Sequence, residues 1–138
     1  MINLVDGTFR PGSPGDYIKI FAPHEWTGIA TAAPRWESFL SEIFDGDTKL
    51  IKYLQRLCGY GCTGQSTEHK YPIAWGTGRN GKGTMFETLG YVLGDLAGPM
   101  ESEMLLMQKF FRQAGSPSSD VMSLRGKRLV WASEIAQL

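Results

Sequence analysis

The chain carries no net charge. Fourteen Lys and Arg balance fourteen Asp and Glu, and the balance is even along its length, with 7 basic and 8 acidic groups in residues 1–70 against 7 and 6 in residues 71–138. That excludes a basic body that coats nucleic acid by charge alone, and leaves room only for a local or shared binding site. Long apolar runs are also missing. No stretch approaches 18 uncharged apolar residues, so no membrane-spanning helix is expected. The opening Met1-Ile2-Asn3-Leu4-Val5-Asp6 lacks the basic start and apolar core of a signal peptide, and the chain is read as cytoplasmic with no membrane partner. Cysteine and histidine are scarce, at two each. Cys58 and Cys62 with His69 fall short of the four ligands that structural zinc takes, the other histidine being His24, far upstream; two free thiols are the simpler reading.

What is present suits a globular domain. Hydrophobic residues make up 42% of 138 residues and charged residues 20%, enough for one domain with a core. The 17 Gly and 7 Pro make the chain loop-rich without low complexity.

The pattern divides the chain into three. In residues 1–31, Asp6-Gly7 between Asn3-Leu4-Val5 and Thr8-Phe9 predicts a hairpin. Pro11 to Gly15 reads as a loop and Tyr17 to Phe21 as a short strand. In residues 32–68, Trp36, Phe39, Leu40, Ile43 and Phe44 recur at i, i+3, i+4, i+7 and i+8, one face of a helix with Pro34 in its first turn. A second helix is capped by Asp47, turns Leu50, Tyr53, Leu54 and Leu57 inward, and stops at Gly59. In residues 69–138, Tyr71 to Trp75 reads as a strand, with Pro72 arguing against a central position. A glycine-rich turn and a helix carrying Phe86, Leu89, Val92 and Leu93 follow. A helix is expected over 101–112, a loop over 113–119, a short helix capped by Asp120, and a buried strand over Arg128 to Ala132.

The chemistry concentrates in Gly76-Thr77-Gly78-Arg79-Asn80-Gly81-Lys82-Gly83-Thr84. Binding phosphate needs backbone N–H groups turned inward, and glycines permit that curl. The following helix presents its positive dipole end to the anion, and Lys82 reaches the β- and γ-phosphates as a point charge. Asn80 helps fix the backbone near the γ-phosphate. Gly83 stands where Ser or Thr commonly holds Mg²⁺. Either Thr84 supplies its hydroxyl from one place later, or Mg²⁺ is held through water and phosphate oxygens.

A second element is Arg128-Leu129-Val130-Trp131-Ala132-Ser133-Glu134, a hydrophobic strand ending in an acid, as in a Walker B motif. Glu134 is placed to orient and deprotonate an attacking water, while Ser133 occupies the place often held by a metal-binding Asp. Arg125, Lys127 and Arg128 just before it read as a solvated turn rather than as a nucleic-acid contact.

Taken together these motifs resemble the superfamily 3 helicases of phage and plasmid primase–helicase proteins, relatives of the poxvirus primase–helicase. The resemblance runs through Asn3-Leu4 to Gly7-Thr8, Pro34-Arg35-Trp36, Tyr53 to Arg56, the Gly76–Thr84 loop, Leu93-Gly94-Asp95, and Leu124 to Glu134. It implies an α/β phosphate-loop ATPase core with an incomplete sheet, preceded by a small helical domain and an N-terminal hairpin segment. It implies ATP and Mg²⁺ as cofactors, with Thr84 and Glu134 toward the metal. DNA would be engaged through a homo-oligomeric ring, in the host cytoplasm if the source is viral. The family's later sensor and arginine-finger motifs do not follow Glu134 here, so the chain is expected to be a part that needs a partner carrying the C-terminal half. Two rivals stay open: a nucleotide-binding chain without turnover, and a nucleoside monophosphate kinase, whose Gly-Lys-Gly-Thr run is similar but lies near the N-terminus.

Overall fold

The computed structural model describes residues 1–105 and 119–133. The N-terminal segment folds as the Asp6-Gly7 signal requires. Ile2 pairs with Phe9 in an antiparallel bridge, and Asn3 N–H donates to the Thr8 carbonyl at 2.8 Å. The Asp6 carboxylate closes the turn by accepting from the Thr8 N–H and hydroxyl at 2.9 and 2.7 Å. Pro14–Asp16 forms a 3₁₀ turn, pinned by an Arg10–Asp16 ion pair at 2.6 Å. Tyr17 to Phe21 forms no strand, contrary to expectation; Tyr17 takes a left-handed φ of 51°, which breaks an extended run at its first residue.

Helix α1 spans Pro34–Ile43, and helix α2 spans Thr48–Thr63. Asp47 caps α2, its carboxylate accepting from the Lys49 and Leu50 N–H groups at 2.9 and 3.1 Å. The helix passes through Gly59 and ends at Gly64 instead. A glycine inside a helix costs only about 1 kcal/mol, and tertiary contacts outweigh that here. The Arg128 guanidinium donates to the Cys62 carbonyl at 2.8 Å, placing a cation on the helix's negative end, and Leu129 lies against Gly61.

Helix α3 spans Lys82–Leu93 and runs through a 3₁₀ turn, Gly94–Leu96, into strand β1, Ala97–Pro99. A 3₁₀ turn at Ser102–Leu105 is the described part of the helix expected over 101–112; its remainder lies outside the described residues. Helix α4, Ser119–Ser123, and strand β2, Leu129–Trp131, complete the order. β2 pairs with β1 in parallel, Ala97 opposite Leu129 and Pro99 opposite Trp131. The expected strand at Tyr71–Trp75 does not form, and Tyr71, Ile73 and Trp75 are 78%, 79% and 85% exposed. Pro72 has no N–H to give a ladder, and no strand among the described residues lies beside the run to pair with it.

One core joins these pieces. Leu40 of α1, Leu54 of α2 and Met85 of α3 are buried together, and Trp36, Phe39, Ile43, Phe44, Ile51, Phe86 and Leu89 pack around them. The helices before and after the glycine-rich loop thus share one apolar cluster, and the loop is strung between them. Trp131 of β2 stacks on Phe86 of α3 at 5.4 Å between ring centroids. Pro23 touches Gly94, and the His24 ring lies 4.6 Å from Tyr91, so the N-terminal segment rests on the far end of α3.

Candidate phosphate-binding loop

The loop begins at Gly76 and delivers the chain to α3 at Lys82. Gly78, Arg79 and Gly81 take left-handed φ values of 87°, 48° and 79°. At Gly81 two demands meet. The backbone is left-handed, and a β-carbon there would lie 2.5 Å from Ile43 Cγ2 and 3.2 Å from Phe39 Cε2. Glycine satisfies both, so the loop's last turn seats on the end of α1. Phe39 and Ile43, which periodicity identifies only as core, are the residues that seat it.

The turn from left-handed Gly81 into helical Lys82 is the backbone geometry that gathers N–H groups around an anion. The first backbone bond of α3 runs from the Met85 N–H to the Gly81 carbonyl at 2.9 Å. The N–H groups of Lys82, Gly83 and Thr84 lie ahead of it, and no side chain caps this helix end. A twelve-residue helix therefore opens with donors and its positive dipole end directed at the loop. Lys82 folds back over the loop. Its Nζ donates to Asn80 Oδ1 at 2.8 Å and to the Gly76 carbonyl at 3.4 Å. Thr77, Gly78, Arg79, Gly83 and Thr84 are exposed, while Gly76, Asn80, Gly81 and Lys82 are half-buried.

Uncapped N–H groups at the start of α3, the Lys82 ammonium and exposed flanking residues are the kind of groups that receive an anion. Thr84 is exposed in the first turn of α3, and its carbonyl accepts from the Thr88 hydroxyl at 2.7 Å. Glu134 lies outside the described residues. The strand leading to it is fixed against α3 through Trp131, Phe86 and Gly90. Within the basic cluster, Arg128 and Lys127 are turned toward carbonyls, those of Cys62 at 2.8 Å and Pro99 at 3.4 Å. Both tie the approach to β2 into the fold, a role that charge clustering does not reveal. Cys58 and Cys62 are half-buried free thiols, pushed above the usual thiol range by burial. No group of three or more His, Cys, Asp or Glu able to hold a metal occurs among the described residues, and no helix there is long and apolar enough to cross a membrane.

Residues 1–45, the N-terminal segment with α1, match the protein family described as D5 N terminal like. The chain is also 28% identical over 120 residues to the protein named "Putative helicase L207/L206" of Acanthamoeba polyphaga mimivirus, a match covering 85% of this chain and 12% of that protein. The chain thus spans about an eighth of the length of the curated relative it matches. No solved structure matches it. The two likenesses support a D5-like, helicase-related protein.

Proposed function

We propose that the chain is the ATP-binding part of a replicative DNA helicase of superfamily 3, with a phosphate-loop ATPase core completed by residues outside this chain. The observation that carries the reading is the Gly76–Gly81 turn, which opens α3 with uncapped N–H groups and binds the Lys82 ammonium to the loop at Gly76 and Asn80. The likeness to a helicase-named viral protein supports the coupling of that site to DNA unwinding.

In this reading the N–H groups at the start of α3 and Lys82 bind the β- and γ-phosphates of ATP, and Asn80 steadies Lys82. Thr84 would hold Mg²⁺, directly or through water. Bound Mg²⁺ with ATP supplies an electrophilic phosphoryl group, and Glu134 accepts the proton of the attacking water. Phe39 and Ile43 carry the loop on α1, so a change in the loop is felt first by the helical unit.

The test is calorimetric titration of ATP into the wild-type chain and Lys82→Ala. Loss of one charge-assisted phosphate contact, worth about 1.5–3 kcal/mol, weakens binding about ten- to hundredfold. Equal affinities would move the phosphate site elsewhere.

A further inference from the structure

The half-buried polar contacts of the loop centre on one side chain. Asn80 folds back so that its amide lies across Gly76 and its Oδ1 accepts from Lys82 Nζ at 2.8 Å, with the Gly76 carbonyl accepting from the same ammonium at 3.4 Å. The amide orientation follows from chemistry: an ammonium only donates, so the amide oxygen must face it. The amide nitrogen then rests on the α-carbon of Gly76, where a β-carbon would collide with it. Gly76 is therefore small for the sake of Asn80, and Asn80 is placed for the sake of Lys82.

We propose that Asn80 is a positioning residue that tethers the Lys82 ammonium over the loop before nucleotide arrives, and that Gly76 leaves the space in which it does so. The inference rests on the phosphate-loop reading of this site and deepens it. An ammonium has three donors. Two are taken by acceptors of the loop itself, which leaves one for a phosphate oxygen and fixes its direction. A free lysine stem has large rotamer freedom that binding would have to remove; the tether removes it in advance. Asn80 suits the task because it is neutral. A carboxylate would hold the lysine as well but would stand as a like charge beside the phosphate.

Two measurements on the 138-residue chain test this. The first is the acylation rate of Lys82 by acetic anhydride, followed by mass spectrometry with exposed Lys49 and Lys52 as internal references. Asn80→Ala is expected to raise the Lys82 rate severalfold, and Gly76→Ala likewise. The double variant is expected to go no further than either, because both remove the same contact. Asn80→Asp, which keeps the acceptor, is expected to retain the slow rate. The second is ATP affinity by calorimetry. Asn80→Ala is expected to weaken binding about three- to tenfold, Asn80→Asp to weaken it further, and Asn80→Ala to change nothing once Lys82 is alanine. If Gly76→Ala fails to fold, Asn80→Ala carries the test alone, with its melting temperature as the control. An unchanged Lys82 rate in Asn80→Ala overturns the tether. An equal loss of affinity with and without Lys82 overturns it too, since Asn80 would then meet the phosphate itself. A wild-type chain that binds no ATP overturns the phosphate-loop reading instead, and the acylation contrast then decides the tether by itself.

Discussion

Residues here act through charge placed on backbone, and the clearest case in the described chain is Asp16 at the N-terminal turn. Asp16 accepts from the Arg10 guanidinium and from the Ser13 N–H, and the Arg10 hydrogen bonds, followed by that of Ser13, hold its carboxyl well below the usual carboxylate range. The sign follows directly. A lowered folded pKa gives stabilisation that is complete above the unfolded value near 3.8 and lost as pH falls through the lower folded one. The Pro14–Asp16 turn is therefore expected to persist through the pH range in which ordinary carboxylates protonate. An NMR titration checks it: the Asp16 side-chain carbon should still report a carboxylate at pH 3.5, where freely solvated Asp carboxyls are largely protonated. Glu134 lies outside the described residues, and its role is a proposal from the sequence. As the acid after β2 it is expected to carry turnover and not binding. In an assembly that turns ATP over, Glu134→Gln should leave nucleotide affinity nearly intact and lower the rate about a hundredfold or more, the scale of a lost general base. Steady-state hydrolysis beside a binding titration separates the two effects, and unchanged turnover would assign the base elsewhere.

Elements show why some of this is legible in the sequence and some is not. Helices α1 and α2 announce themselves because large apolar groups recur at helical spacing and because Asp47 is a strong cap. Asp47→Ala should cost about 1 kcal/mol, read as a lower midpoint in urea unfolding followed by circular dichroism; an unshifted midpoint would mean that the cap bonds contribute nothing net. The glycine-rich loop is legible as a turn because glycine readily takes the left-handed φ that Gly78 and Gly81 adopt. Three features are not. Strand β1 is Ala-Gly-Pro, without a branched or aromatic residue, and exists because β2 lies alongside it. α2 passes Gly59 and Gly61 and stops at left-handed Gly64, whose N–H donates to the Gly61 carbonyl; which of the three glycines ends it is not written locally, and Arg128, bound to the Cys62 carbonyl 66 residues away, holds that end. Tyr71–Trp75 has strand composition but no neighbour among the described residues. Each miss is a pairing in space overriding, or failing to support, a local preference. The seating of Gly81 on Phe39 and Ile43 belongs to the same class: periodicity marks those two as core, and only the packed structure shows that part of what they hold is the loop.

At the scale of the whole molecule, apolar side chains outnumber the places to bury them. Leu40, Leu54, Met85 and Ala97 are the buried core among the described residues, whereas Tyr71, Ile73 and Trp75 stand almost fully in water directly before the glycine-rich loop. The described sheet has two strands of three residues each, below the size at which a sheet is stable alone, and among the described residues no further strand pairs with its outer edges. Exposed large apolar groups such as Tyr71, Ile73 and Trp75 favour association. Phosphoryl-transfer sites also gain about 10³–10⁵ in rate from an arginine aimed at the transferring group. Of the six described arginines, Arg10 and Arg128 are bound to Asp16 and to the Cys62 carbonyl, Arg79 lies in the loop itself, and Arg35, Arg56 and Arg125 are exposed on α1, on α2 and after α4. The purified 138-residue chain is therefore expected to bind ATP, to hydrolyse it negligibly, and to self-associate at micromolar concentration. Sedimentation velocity across a dilution series, run beside a steady-state hydrolysis assay, measures both. Replacing Ile73 and Trp75 by lysine should shift the chain toward monomer while leaving ATP affinity near wild type, because neither side chain is among the groups that meet the phosphates. A wild-type chain that sediments as a monomer at every concentration and hydrolyses ATP at ordinary enzyme rates would show that the exposed run needs no cover, and that the loop is complete without a second chain.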